Sequence, residues 1–269
     1  MTTRQAADQH VDVVDGPLRG GTAHAGRVLK VGDTVRRPAG PHTPAVHALL
    51  RHLNRSGFPG VPTALSIDGT MEVLSFIPGG AAYDPMPDWA LTDDALAGVA
   101  GLIRDYHAHC AGFDTTNRQW SRPIPPRWRG SLVTHNDVHP ANVIFRDHRA
   151  VALIDFDLAA PGCAAWELAV TACFWVPMLD PSDIADARRE RVTKRLRLLL
   201  DTYGADAQLR QDAVSALLDA NTWISSIIEE GAASGHPAFG RIWSRRAGMH
   251  RRARDWLLAS REELARTIG

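Results

Sequence analysis

The sequence predicts an α+β fold in two parts, a strand-rich amino-terminal portion and a larger helical remainder. Three observations carry this. Before residue 80, two pairs of short β-type runs flank Gly32-Asp33 and Asp68-Gly69, the two-residue turns of tight hairpins. After Trp89 the pattern turns helical, and from Trp166 onward long amphipathic stretches dominate. The 269 residues are 45% hydrophobic and 22% charged, enough apolar material for a real core and a balance that disfavours disorder, collagen-like repeats and coiled coils.

In chain order, Val11–Val14 reads as a short strand leading into a glycine-rich turn, Gly16 to Gly21. Arg27–Val31 and Thr34–Arg37 form the first hairpin. Pro41–Asn54 places Val46, Leu49, Leu50 and Leu53 at helical spacing, and Leu65–Ile67 with Glu72–Ile77 forms the second hairpin. Pro78-Gly79-Gly80 punctuates the chain and marks a lobe boundary, dividing it into residues 1–77 and 78–269. Thr92 is placed to cap a helix running to about Cys110. A proline-rich loop at 122–129 precedes the densest polar motif, residues 134–142. A third hairpin follows, Val143–Phe145 with Val151–Ile154, turning at Asp147-His148. In the helical remainder, Gly204, Gly231 and Pro237 are the clear breaks.

Charge and cysteines narrow the function classes. Thirty basic residues balance thirty acidic ones, which argues against a nucleic-acid binder. Lys30 and Lys194 are the only lysines, which reads as a codon-composition bias. Cys110, Cys163 and Cys173 offer no C-x-x-C spacing, so neither a disulfide framework nor a zinc site is expected. The amino terminus lacks an apolar stretch of the signal-peptide kind, and the longest apolar run, Leu168–Leu179, is too short to span a bilayer and is broken by Pro177. The expectation is a soluble cytoplasmic protein without membrane or nucleic-acid partners. No protein partner can be inferred.

The chemistry concentrates in Thr134-His135-Asn136-Asp137-Val138-His139-Pro140-Ala141-Asn142, followed 13 residues after Asn142 by Asp155-Phe156-Asp157. This pattern puts a carboxylate and a carboxamide on one loop and a second carboxylate at the end of a returning hairpin. Phosphoryl transfer needs such a set: one carboxylate takes the attacking hydroxyl's proton, while an amide oxygen and another carboxylate hold Mg²⁺ on the nucleotide phosphates. The Asp-to-Asn spacing equals that of the protein-kinase catalytic loop, although Asp157 stands where kinases have glycine.

The segment resembles the aminoglycoside phosphotransferase and choline kinase family more closely, through His135, Asp137, His139, Pro140, Asn142, Ile154 and Asp155. The resemblance implies a bilobal protein-kinase-like fold, with a small antiparallel-sheet lobe for the nucleotide and a larger mostly helical lobe for catalysis. It implies Asp137 as catalytic base, His135 as a residue orienting the loop, Asn142 and Asp155 as Mg²⁺ ligands, and ATP or GTP as phosphoryl donor to a small hydroxylated acceptor. Trp166-Glu167-Leu168-Ala169 stands where relatives often carry W-D-L-A, so Glu167 is expected to brace the catalytic loop. Asp157 is open between metal contact and a supporting hydrogen bond. Trp166 stands only 11 positions after Asp155, too close for a peptide-docking activation segment, which points to a small alcohol as acceptor.

The amino-terminal part departs from the family pattern. The hairpin reading puts Arg36 where kinase-like enzymes carry a strand lysine, and the following helix, Pro44 to Leu49, has no acid to pair with it. Ser75, Phe76 and Ile77 fall where a hinge offers backbone groups to a nucleotide base, and Gly20, Gly21 and Gly26 bracket a loop that could cover phosphates. Glu229, Glu230, Asp180, Asp183 and Asp186 are available to a cationic acceptor or are simply solvated. Basic residues at 245–254 read as an exposed helical face. Two other readings stay open: a catalytically impaired nucleotide-binding pseudokinase or immunity-type binding protein, and a metallohydrolase built on His135, Asp137 and His139.

Overall fold

The computed structural model describes residues 15–18 and 26–268. The strand read at Val11–Val14 and the glycines at 20 and 21 lie outside that range. A five-stranded antiparallel sheet opens the fold, from β1 (Gly16–Pro17), β2 (Leu29–Val31), β3 (Thr34–Pro38), β4 (Ala64–Asp68) and β5 (Met71–Ser75) in the order β1-β2-β3-β5-β4. Both hairpin turns fall as the sequence suggests, with Gly32 at φ 56° and Gly69 at φ 57°, a region where a side chain is strained.

Register decides which residues share a face. Lys30 lies opposite Val35, Val35 opposite Leu74, and Arg37 opposite Glu72. Since side chains alternate along a strand, Lys30, Val35, Arg37, Glu72 and Leu74 form one face, while Arg36 and Val73 turn to the other. Between β3 and β4, helix α1 (Thr43–Arg55) buries Val46, Leu49, Leu50 and Leu53, together with the polar residues Thr43 and His47.

The second part is helical around two small two-stranded sheets. Helix α2 (Asp93–His109) begins where Thr92 accepts the Ala95 N–H at 3.2 Å, the expected cap. Strand β6 (Leu132–Thr134) pairs with β9 (Ala160–Gly162), and β7 (Val143–Arg146) pairs with β8 (Arg149–Leu153). Asp147 and His148 both have positive φ, the turn geometry that matches strand twist. Four helices complete the chain: α3 (Ala164–Trp175), α4 (Val192–Tyr203), α5 (Ala207–Ala233) and α6 (Pro237–Ile268). Helix α3 is buried on nearly every side, which explains the apolar run noted at Leu168–Leu179. Among the described residues, no helix is long and apolar enough to cross a membrane.

Two sequence expectations need correction. Gly204 ends α4 in the left-handed conformation, as its position suggests, but Gly231 does not break a helix. It lies within α5, where a Cβ would come within 2.5 Å of the Phe239 ring, so its smallness serves helix packing. The turn to α6 is made at Gly235, φ 81°. The pair β6–β9 was not anticipated, because each strand has three residues and neither shows an alternating pattern.

One apolar core runs through both parts. Backbone bonds tie the β7–β8 hairpin to the segment before α2: Gly80 and Phe145 exchange N–H···O bonds of 2.9 and 2.8 Å, and Ala82 N–H reaches the Pro140 carbonyl at 3.1 Å. The Leu153 N–H donates to the Gly60 carbonyl at 2.9 Å. The polar loop between β6 and β7 is thereby fixed from both sides.

Candidate active site

That loop is held by buried side chains. The Glu167 carboxylate, fully buried on α3, accepts the backbone N–H groups of His135 and, at 3.0 Å, Asn136. Asn136 adopts φ 66°, a left-handed conformation that asparagine tolerates. Its amide donates to the Leu158 carbonyl at 2.8 Å and accepts the Trp166 indole N–H at 2.9 Å. Trp175 donates its indole N–H to the Val138 carbonyl at 2.7 Å. The bonds of Glu167, Trp166 and Trp175 are sealed in a low-dielectric interior, where a missing partner is costly. The brace expected of Glu167 is therefore a pair of backbone contacts.

His135 is buried, and burial pushes its imidazole toward the neutral form. Nδ1 accepts the Asp137 N–H at 3.2 Å, so Nε2 carries the proton and donates to the Ile154 carbonyl at 3.0 Å. His139 accepts the Ala141 N–H at 3.2 Å through Nδ1, capping the short turn that carries Asn142. With both His135 nitrogens committed to backbone groups, His135-x-Asp137-x-His139 does not gather into a metal site, nor does any group of three His, Cys, Asp or Glu among the described residues.

Asp137 and Asn142 converge. The Asn142 amide nitrogen donates to the Asp137 backbone carbonyl at 3.0 Å and to Asp137 Oδ2 at 2.8 Å. This commits the amide's donor end and leaves its carbonyl oxygen as an acceptor. Burial, followed by the nearby Asp155 charge, holds the Asp137 carboxyl well above the ordinary carboxylate range, with the Asn142 hydrogen bond opposing. The third group, Asp155, follows β8 in a left-handed conformation, φ 63°, which turns its carboxylate back toward the loop.

The sheet supplies a cation that the sequence reading misplaced by one residue. Arg36 is exposed on the outer face, and Arg37 is buried on the inner one. Its Nε donates to Glu72 at 2.6 Å, one terminal nitrogen to Asp155 at 2.7 Å, and the other to Asp157 at 2.6 Å. Burial disfavours the charge, but three carboxylates outweigh it and keep the guanidinium protonated. Glu72 is in turn bonded at 2.8 Å to Nε2 of His47 on α1. A strand arginine, a neighbouring-strand glutamate and a helix histidine thus form one buried network. Alternation past Val35, and one acid in the apolar run Met71-Glu72-Val73-Leu74, were signals that could have found it. Asp157 pairs with Arg37, and His42 lies 3.3 Å from the same oxygen.

The hinge residues are less open than expected. Ser75 N–H donates to the Thr63 carbonyl at 2.9 Å, and Phe76 N–H to the Asp33 carbonyl at 2.8 Å. The Phe76 ring lies under the Lys30 ammonium, 5.1 Å from its centroid. Ile77 is the first residue past these bonds.

The His139 imidazole is pushed down to about 4, first by burial and then by Arg246, with Asp84 opposing. Its ordinary value is 6.5. The unfolded chain therefore binds an extra proton between pH 6.5 and 4, and stability falls as pH drops through that window, by up to about 3 kcal/mol from this group. His139→Asn keeps an acceptor for the Ala141 N–H without titrating. Melting temperatures across this range should fall less steeply in the variant than in the wild type.

Residues 114–199 match the model of a phosphotransferase enzyme family. The chain is also 33% identical over 201 residues to the trifolitoxin immunity protein of Rhizobium leguminosarum bv. trifolii, covering 71% of this chain and 75% of that relative. The chain belongs to the phosphotransferase enzyme family. This family member is 30% identical over 147 residues to a homoserine kinase of Mesorhizobium japonicum, an overlap of 54% of this chain but 39% of the kinase. Its fold is shared with solved structures of low sequence identity. A gentamicin complex of APH(2″)-IIa superposes at TM-score 0.56, with 14% identity, over 100% of this chain and 99% of that one. A choline/ethanolamine kinase family protein from Mesorhizobium loti gives 0.60 at 13% identity, covering 90% and 88%. These likenesses establish the protein-kinase-like, bilobal α+β architecture expected from the sequence.

Proposed function

We propose that this phosphotransferase-family member is a small-molecule kinase that moves the γ-phosphate of ATP or GTP to an acceptor hydroxyl, with residues 1–77 as the nucleotide lobe and 78–269 as the catalytic lobe. The observation that carries the reading is the convergence of Asp137, Asn142 and Asp155, with Arg37 facing them from the sheet. The side-chain amide oxygen of Asn142 and the Asp155 carboxylate offer an all-oxygen donor set, which suits Mg²⁺ and not a soft metal. Bound there, the ion would neutralise charge on the nucleotide's phosphates.

The chain's own residues supply the rest. Asp137 accepts the proton of the acceptor hydroxyl as that oxygen attacks phosphorus. Asn142 fixes the carboxylate's direction through the 2.8 Å bond to Oδ2. His135 and Glu167 hold the backbone on which Asp137 rides, and so act by positioning. Arg37 takes the place of the strand lysine as a fixed positive charge beside Asp155 and Asp157, and Phe76 and Ile77 border the base.

Calorimetric titration of ATP and GTP, with and without Mg²⁺, tests the assignment. Wild type should bind nucleotide more tightly with Mg²⁺, and Asp155→Ala should lose that Mg²⁺-dependent increment. Equal binding in both proteins would remove Asp155 from the metal site. A second reading, a nucleotide-binding immunity-type protein that does not transfer phosphate, draws on the similarity to the trifolitoxin immunity protein and on Arg37 occupying Asp155 and Asp157.

A further inference from the structure

We infer that a cleft beside α1, separate from the transfer loop, binds a phosphoryl anion, either inorganic phosphate or a small phosphate ester. The cleft encloses about 540 Å³, the size of a small-molecule site, between α1 and the segment that follows α2. Its lining includes none of Arg37, Asp137, Asn142 and Asp155, so the inference does not rest on the phosphotransferase reading.

Charge sets the chemistry of the ligand. Arg51 and Arg55 stand one turn apart on α1, and Arg118 lines the cleft from the other side. Like charges at that helical spacing repel. Among the described residues, the Arg51 guanidinium has neither a hydrogen bond nor an ion pair. Arg55 donates through Nε to the Arg51 carbonyl at 3.2 Å, and Arg118 through Nε to the Asp114 carbonyl at 2.6 Å. The paired terminal nitrogens of both forks are left unmet. Asp114 is the one acid in the described lining, and its Oδ1 already accepts the Thr116 N–H and hydroxyl at 2.9 and 2.7 Å. Those bonds, with Arg118 a lesser influence, hold its carboxyl below the ordinary range. Three positive charges thus meet a single negative one. By contrast, Arg122, Arg210 and Arg252 each find a carboxylate.

One side of the cleft is shaped before any ligand arrives. The Arg118 guanidinium lies over the Phe113 ring, 4.8 Å from its centroid, and His52 meets the same ring edge-on at 5.4 Å. Nε2 of His52 donates to the His109 carbonyl at 3.1 Å, which ties α1 to the end of α2. A stacked guanidinium loses less freedom on binding than a free one. Arginine forks match pairs of phosphate oxygens, and a phosphoryl group brings up to two charges where a carboxylate brings one.

Calorimetric titration with inorganic phosphate, glycerol 2-phosphate and succinate tests the site, first without nucleotide and then with Mg²⁺ and a non-hydrolysable ATP analogue. Wild type should bind one or both phosphoryl compounds about 10-fold or more tightly than succinate, whether or not the analogue is present. The double variant Arg51→Gln, Arg118→Gln should weaken that binding by about 10-fold or more and leave affinity for the analogue unchanged. Arg118→Lys should fall between, and Arg36→Gln, on the outer face of the sheet, should match wild type. If the double variant melts early, Arg51→Gln carries the test alone, since its side chain holds no described partner, with a loss of about 3-fold or more. Phosphate and its ester bound equally by wild type and variants would overturn the inference. So would their displacement by the ATP analogue, which would place them in the nucleotide site, a preference for succinate, or no binding by wild type. Glycerol 2-phosphate bound in preference to inorganic phosphate would identify an ester as the ligand, and the reverse order the free anion.

Discussion

Asp137→Ala is expected to lower phosphate transfer by roughly 10²-fold or more while nucleotide affinity stays within a few-fold of wild type. The carboxylate lies on the loop beside the Asn142 amide, and its task arises when the acceptor hydroxyl gives up its proton, not when nucleotide binds. Removing it deletes a group used mainly in the transition state, so kcat should fall and the KM for nucleotide should change little. Stability should change modestly, since the buried bonds that hold the loop run through Glu167, His135 and Trp175. Asp137→Asn should be nearly as inactive, because the amide keeps the shape but cannot act as the base. Transfer at the wild-type rate in both variants would take the base role away from this residue.

Arg37→Ala is expected to be the most destabilising single change in the amino-terminal part. Each nitrogen-side contact of this guanidinium ends on a carboxylate, and Glu72 is 1% exposed. Deleting the arginine leaves a buried acid without its cation, a class of change that costs about 3–5 kcal/mol. For a chain of this size that corresponds to a drop in melting temperature on the order of 10 °C. Arg37→Lys should recover part of it, since one ammonium cannot span three directions. The adjacent Arg36→Ala is the control: exposed on the outer face, it should change stability by no more than about 0.5 kcal/mol. Equal melting temperatures for the Arg37 and Arg36 variants would mean that the network does not hold the sheet to the Asp155 loop.

How much of this was legible in the sequence depended on how local each interaction is. The loop from His135 to Asn142 is a contiguous string, and Asp155 returns to it through one tight hairpin, so spacing and residue type sufficed. The cation site was not local. Choosing between Arg36 and Arg37 requires the strand's facing, which Val35 marks only once its partner Leu74 is known. Glu72 was missed because cross-strand register, not sequence neighbourhood, brings it to Arg37, 35 residues away. His47 hid inside an apolar helical stripe, where a histidine reads as core until its acid is found. The pairing of β6 with β9 was invisible for a related reason: its six residues are set by Glu167 and Asn136 gathering the loop, not by their own propensity.

The most direct check of the central claim is whether the purified protein makes a phosphorylated product. Incubated with γ-labelled ATP or GTP, Mg²⁺ and a panel of hydroxylated small molecules, wild type should transfer label to at least one acceptor, and Asp137→Ala should not. Nucleotide bound firmly with no label transferred to any acceptor would contradict the kinase reading and favour a protein that binds without catalysing.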